Sequence, residues 1–94
     1  MEIHGFDWDL GNKDKCQSHG VTLDDIEMLF SFPHVITPDA KHSDTEDRYL
    51  AIGRRRSDRP LFVVFTTRHD EERLLVRPIS ARYMHAKELK RYDR

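Results

Sequence analysis

Apolar residues along this chain change their spacing, and the changes mark off helical from extended stretches. Residues 3–9 alternate, with Phe6 and Trp8 on opposite parity to Asp7 and Asp9, which predicts a short strand or extended arm. Asp9 is a good N-cap by type and predicts a first helix to about Ser18, stopped by Gly20. Only Leu10 and Cys16 are clearly apolar in it, so its amphipathicity is weak. Thr22 caps a second helix, with Asp24 and Asp25 in the first turn where the helix dipole favours acids. Leu23, Ile26, Leu29 and Phe30 recur at helical spacing and are expected to face the core, and Pro33 ends the segment.

After Pro33 the pattern becomes that of strands. Val35-Ile36 is a short strand, residues 38–47 are a polar loop, and residues 48–53 form a strand with Tyr49 or Leu50 and Ile52 inward. A turn is expected across 54–60. Residues 61–67 (LFVVFTT) are continuous, β-branched and aromatic, the signature of a central strand. His69-Asp70-Glu71-Glu72 makes the next turn, and residues 73–79 form another strand with Pro78 near its end. Ser80 then caps a last helix over 81–92. The order β–α–α–β–β–β–β–α predicts an α+β fold: an antiparallel β-meander, with two N-terminal helices and one C-terminal helix on one side.

The chain has 94 residues, 37% hydrophobic and 35% charged, which fits one domain with a small core. No apolar run approaches the ~18–20 residues of a membrane span, and no basic stretch leads into an apolar one at the N-terminus. The expectation is a cytoplasmic protein with no membrane partner. Cys16 has no second cysteine to pair with, which fits a reducing compartment.

Charge changes the picture more than composition does. The net charge of −1 conceals an acidic first half and a basic second half. Residues 1–47 hold 11 acids and 3 bases, whereas residues 48–94 hold 6 acids and 13 bases, including all 11 arginines. Arginine pairs bidentately with phosphate, so the basic half points to an anionic partner. The competing explanation is internal neutralisation, the acidic half folding against the basic one.

Six histidines show no zinc spacing, and no phosphate-binding glycine motif is present, so no metal and no cofactor is expected. Cys16 reads as a small buried hydrophobe. What remains is a basic constellation: Arg68 after the central strand, Arg77 in the last strand, and Arg82 at the start of the final helix. RNA cleavage without a metal needs a base for the 2′-hydroxyl, cations on the pentavalent phosphate and an acid for the leaving oxygen. The arginines meet the second need. His19, Glu88, Lys13, Lys15 or Tyr92 meet the others, and Ser80 with the helix-start amides can receive a phosphate. In the alternative, the arginines solvate a sheet and pair with Glu71, Glu72 and Glu88.

The run Phe6-Asp7-Trp8-Asp9, then Asn12, Lys15, Cys16 and His19-Gly20-Val21, resembles the opening of the BrnT family of toxins. So do Thr67-Arg68 and the run Arg77-Pro78-Ile79-Ser80-Ala81-Arg82, with Glu88 and Tyr92 after it. The resemblance spans Phe6 to Tyr92. It implies the toxin of a bacterial type II toxin–antitoxin module, with a RelE-like fold, that cleaves RNA without a metal and arrests translation. It also implies a BrnA-like ribbon-helix-helix antitoxin as partner, in a toxin–antitoxin hetero-oligomer. Ser18 stands where many members carry a lysine before the His-Gly pair, and Asn12 where many carry another.

The resulting site expectation is catalytic His19, Arg68, Arg77, Arg82, Glu88 and Tyr92, with Lys13, Lys15 and Ser80 on RNA. His19 is the first candidate for proton transfer, ahead of Glu88 and Tyr92. The rival reading keeps the fold without catalysis, as a module binding RNA or an acidic protein. A third makes the chain a structural subunit whose arginines serve only solubility.

Overall fold

The structure is a computed structural model that describes residues 2–32, 34–39, 46–54 and 60–90. Pro33, residues 40–45 within the expected polar loop, residues 55–59 within the expected turn, and Tyr92 lie outside the described residues. The elements are β1 (Gly5–Phe6), α1 (Leu10–Gln17), α2 (Leu23–Leu29), β2 (His34–Pro38), β3 (Tyr49–Arg54), β4 (Pro60–Asp70), β5 (Arg73–Tyr83) and α3 (Ala86–Leu89).

Both N-terminal helices start where side-chain chemistry sets them. The Asp9 carboxylate accepts the Asn12 backbone N–H at 2.9 Å, and the Asn12 side chain accepts the Asp9 N–H at 2.7 Å, a reciprocal capping box. Thr22 Oγ1 accepts the Asp25 N–H at 3.1 Å. After α1 the chain reverses through Gly20 at φ 84°, a conformation costly for a residue with a Cβ.

The five strands form one sheet in the order β1-β5-β4-β3-β2, with β4 in the centre as the LFVVFTT run predicts. The pairs β2–β3, β3–β4 and β4–β5 are antiparallel, whereas β1 runs parallel to β5 (Gly5 opposite Leu75, Phe6 opposite Val76). The sheet is therefore mixed rather than a pure meander. The arm before α1 reaches β5 only in that direction, and its hold continues through His4 N–H to Leu74 O and Asp7 N–H to Val76 O, both 2.8 Å.

A larger correction concerns the C-terminal half. Ser80 does not cap a helix and Arg82 does not open one. β5 runs on to Tyr83, placing Ser80 opposite Val64, Ala81 opposite Val63 and Arg82 opposite Phe62. Over the described part of the helix predicted for 81–92, residues 81–83 are strand and the helix is the single turn α3, with His85 at its N-cap position. Local propensity for helix in this stretch is real, but β4 offers a long row of backbone groups whose pairing outweighs it. The proline within β5 is accommodated by a bulge. Val64 faces Ser80 and Phe65 faces Pro78, leaving Ile79 as the extra residue.

Alternation along the strands sorts side chains between the two faces. Leu61, Val63 and Phe65 of β4, Ala51 of β3 and Val76 and Ala81 of β5 pack with Cys16, Val21, Ile26 and Leu29 of the helical layer. Phe30 closes this core edge-on to both Phe6 and Phe65, at 5.7 and 5.3 Å between ring centres. The other face carries a smaller cluster of Ile52 and Met84 with Leu50 and Phe62. Thr66, Arg68, Arg77 and Arg82 have the parity of Phe62 and belong to that second face. Among the described residues no helix is long and apolar enough to cross a membrane.

Candidate active site

A cleft of about 450 Å³ opens where the N-terminal half of α1 meets β5 and the chain entering β3. Its charged lining is Asp9, Lys15, Glu46, Arg48, Arg68 and Arg77, four cations against two carboxylates. Gly11 and Lys15 reach it from one side of α1, four residues and about one turn apart. Pro78 and Ile79 line it at the bulge.

The arginines are held differently. Arg77 bridges two carboxylates, with Nη2 2.7 Å from Asp9 Oδ2 and Nη1 3.3 Å from Asp7 Oδ2. The hydrogen bond that Arg77 donates to Asp9, more than burial opposes it, raises the Arg77 pKa above the usual guanidinium value. Asp9 in turn is held below the ordinary carboxylate range, first by the Asn12 backbone N–H and then by Arg77. Arg68 is looser. Its side chain is 45% exposed and makes one ion pair, Nη1 to Glu46 Oε2 at 3.2 Å. Arg48 Nε stands 4.0 Å from Glu46 Oε1. Lys15 lines the cleft with no carboxylate partner among the described residues.

Asn12 carries the cleft wall. It is 8% exposed, and its Nδ2 donates to Asp7 O at 3.0 Å and to Pro78 O at 2.9 Å. One side chain thus ties the arm, α1 and the bulge of β5 together. Thr66 performs a similar service for the entry to β3, donating from Oγ1 to Asp47 O at 2.6 Å beside Glu46.

Of the residues expected from sequence, Lys15, Arg68 and Arg77 come together here. Arg82 and Glu88 do not line the cleft; they pair with each other, Nη1–Oε1 at 3.1 Å and Nη2–Oε2 at 2.9 Å. The Arg82 guanidinium lies 4.9 Å from the centre of the Phe62 ring. Glu88 also accepts the His85 N–H at 3.2 Å, so the pair fastens α3 to the sheet. Arg82, followed by that N–H, lowers the Glu88 pKa to about 2, leaving it ionised with its lone pairs engaged. His19 is exposed in the reversal after α1, four positions beyond Lys15, and does not line the cleft. Lys13 and Ser80 also stand outside it.

Sequence reasoning missed Glu46, Arg48 and the anchoring role of Asn12. Glu46 sits in a polar run whose residues have no period to sort them. The link from Asp7 and Asp9 to Arg77 crosses some 70 positions, although the opposite charge of the two halves was its signal. Among the described residues no group of three His, Cys, Asp or Glu side chains is placed to hold a metal ion.

A model of the family described as "Ribonuclease toxin, BrnT, of type II toxin-antitoxin system" matches residues 8–88. The chain belongs to the BrnT family. The match covers α1 and α2, all strands but β1, and α3 as far as Glu88. It therefore takes in every residue lining the cleft. BrnT membership makes the chain a type II toxin–antitoxin ribonuclease toxin, with RNA as target and an antitoxin as partner. Among individual curated proteins, none matches the chain.

Proposed function

We infer that this toxin cleaves RNA without a metal ion and arrests translation, and that the cleft beside α1 receives the scissile phosphate. The observation that carries this reading is the meeting of Lys15, Arg68 and Arg77 with Arg48 around one open space. Fixed cations supply the charge a pentavalent phosphate needs. Arg68 is the group most ready to exchange partners. A half-exposed ion pair contributes ~0–1 kcal/mol, whereas a phosphate offers bidentate charge-assisted bonds. Arg77, bridged to two carboxylates, sets the cleft floor and lends its field to the phosphate. His19, one turn beyond Lys15, is the proton-transfer candidate on the adjoining nucleotide. Arg82 and Glu88 shape the sheet edge, Lys13 and Ser80 extend the RNA track, and Tyr92 stands behind His19 as the second proton-transfer candidate. The fold is of the RelE-like kind in a single domain. The partner is a BrnA-like ribbon-helix-helix antitoxin, in a cytoplasmic hetero-oligomer.

Inducible expression in a bacterial host, following growth and RNA integrity together, tests this. The wild type should arrest growth with RNA cleavage, both relieved by the antitoxin. Arg68→Ala should lose ~10²–10³-fold in cleavage, the usual cost of one donor to a developing anion. Normal growth with folded protein and intact RNA would overturn the proposal. One observation favours a second reading, a module that binds RNA without cutting it: no histidine lines the cleft among the described residues. That reading expects salt-dependent RNA binding with the RNA left intact.

A further inference from the structure

The cleft holds cations for a phosphate, but the histidine proposed for proton transfer lies outside it. Among the described residues, three that line it can exchange a proton with a substrate hydroxyl: Asp9, Lys15 and Glu46. An ammonium is a donor, which leaves the two carboxylates as bases. Asp9 is poorly placed for that work. Oδ1 caps α1 through the Asn12 N–H, and Oδ2 holds Arg77 at 2.7 Å. Both oxygens are committed to the fold.

Glu46 is different. One oxygen pairs with Arg68 at 3.2 Å, while the other has Arg48 Nε at 4.0 Å, beyond hydrogen-bond reach, and keeps its lone pairs for a ligand. The side chain is 31% exposed, so substrate has access to it. Its backbone is steadied next door, where Thr66 Oγ1 donates to Asp47 O. A phosphate drawn to Arg68 would bring the neighbouring ribose beside this carboxylate.

We propose that Glu46 is the general base, taking the 2′-hydroxyl proton of the nucleotide whose phosphate sits on Arg68. This rests on the phosphate-binding reading of the cleft. As Glu46 takes the proton, the O2′–P bond forms and the P–O5′ bond breaks. The electron pair leaves on O5′, which takes a proton from solvent, and Glu46 returns its proton to solvent. The products are a 2′,3′-cyclic phosphate and a free 5′-hydroxyl, with no oxidant, reductant or metal required.

The test uses the full chain, purified bacterial RNA and a single-stranded oligoribonucleotide, scoring cleavage rate, product ends and RNA affinity separately. Glu46→Gln should cut cleavage by ~10²–10⁴-fold, the usual contribution of a general base, while RNA affinity stays equal or rises. Glu46→Ala should regain part of its rate with added acetate, and wild-type products should carry 2′,3′-cyclic phosphates. Should Glu46→Gln fold poorly, the acetate response of Glu46→Ala decides. A Glu46→Gln protein that cuts as fast as wild type or faster overturns the assignment and marks Glu46 as a shield over Arg68. So do products with 5′-phosphate ends. These failures stay distinct from failure of the underlying function, which would show as no cleavage by the wild type or undiminished cleavage by Arg68→Ala.

Discussion

Replacing Asn12 by alanine should be among the most damaging single changes outside the apolar core. The side chain makes three hydrogen bonds: it accepts the Asp9 N–H at 2.7 Å and donates to Asp7 O at 3.0 Å and Pro78 O at 2.9 Å. Each contributes a net ~0.5–1.5 kcal/mol. The three losses are unequal. Asp9 is exposed, and its N–H can turn to water, whereas Pro78 is buried, and its carbonyl would be stranded at ~1–3 kcal/mol. Alanine's better helix propensity returns ~0.5 kcal/mol. The balance is a loss of about 2–4 kcal/mol. For a domain of this size that is a fall in Tm of about 10–30 °C, at ~4–8 °C per kcal/mol. Thermal unfolding followed by circular dichroism measures it, with Asn12→Asp as the companion. Aspartate keeps the acceptor and the volume but gives up both donated bonds and sets a carboxylate against two carbonyls, so it should be no better than alanine. A Tm within about 4 °C of wild type for both variants would refute the view that this side chain fastens α1 and the arm to the β5 bulge.

Three further outcomes are expected. Arg77→Ala should abolish growth arrest while the protein remains folded, because a partly exposed ion pair contributes ~0–1 kcal/mol to stability; full toxicity of a folded variant would remove Arg77 from the site. The Glu88 pKa is depressed in the fold from 4.5 to about 2, so its pairing with Arg82 contributes stability above pH 4.5 and loses it as pH falls towards 2. The Tm gap between wild type and Glu88→Gln should accordingly close between pH 5 and pH 2, and a constant gap would contradict the pairing. Cys16 is fully buried, and burial pushes its thiol pKa up to about 11. A thiol-directed reagent at neutral pH should therefore label it only as fast as the protein unfolds, and rapid labelling of native protein would show that α1 does not pack on the core.

Much of the framework was legible locally. Asp9 and Thr22 start their helices through bonds to backbone groups three residues ahead, and such contacts need no partner from afar. The continuous apolar run of β4 announced the central strand of the sheet. The β4–β5 turn expected over His69-Asp70-Glu71-Glu72 narrows to Glu71-Glu72, with Glu71 at φ 57°, because His69 and Asp70 stay in β4 and pair with Leu74 and Arg73. The weak first helix was still placed correctly, because its caps specify it more than its faces do.

Other features depended on which segment lies beside which. Ser80-Ala81-Arg82 carries helix-start chemistry and is nevertheless strand, since β4 extends from Pro60 and pairs with it residue by residue. The Pro78 bulge presents a carbonyl to Asn12, a meeting 66 positions apart that no period encodes. The basic half was visible from charge, as was the alternative that the acidic half would neutralise it. The structure uses both: Arg77 is clasped by Asp7 and Asp9, while Arg68, itself half-exposed, pairs with one carboxylate, Glu46. Sequence by itself determined the Asp9 and Thr22 caps, the central strand and the surplus of arginine, because these follow from side-chain chemistry over a few residues. Tertiary structure alone decided which arginines share a cleft, which are committed to carboxylates and which acids stand among them, because strand register and the bulge set those distances.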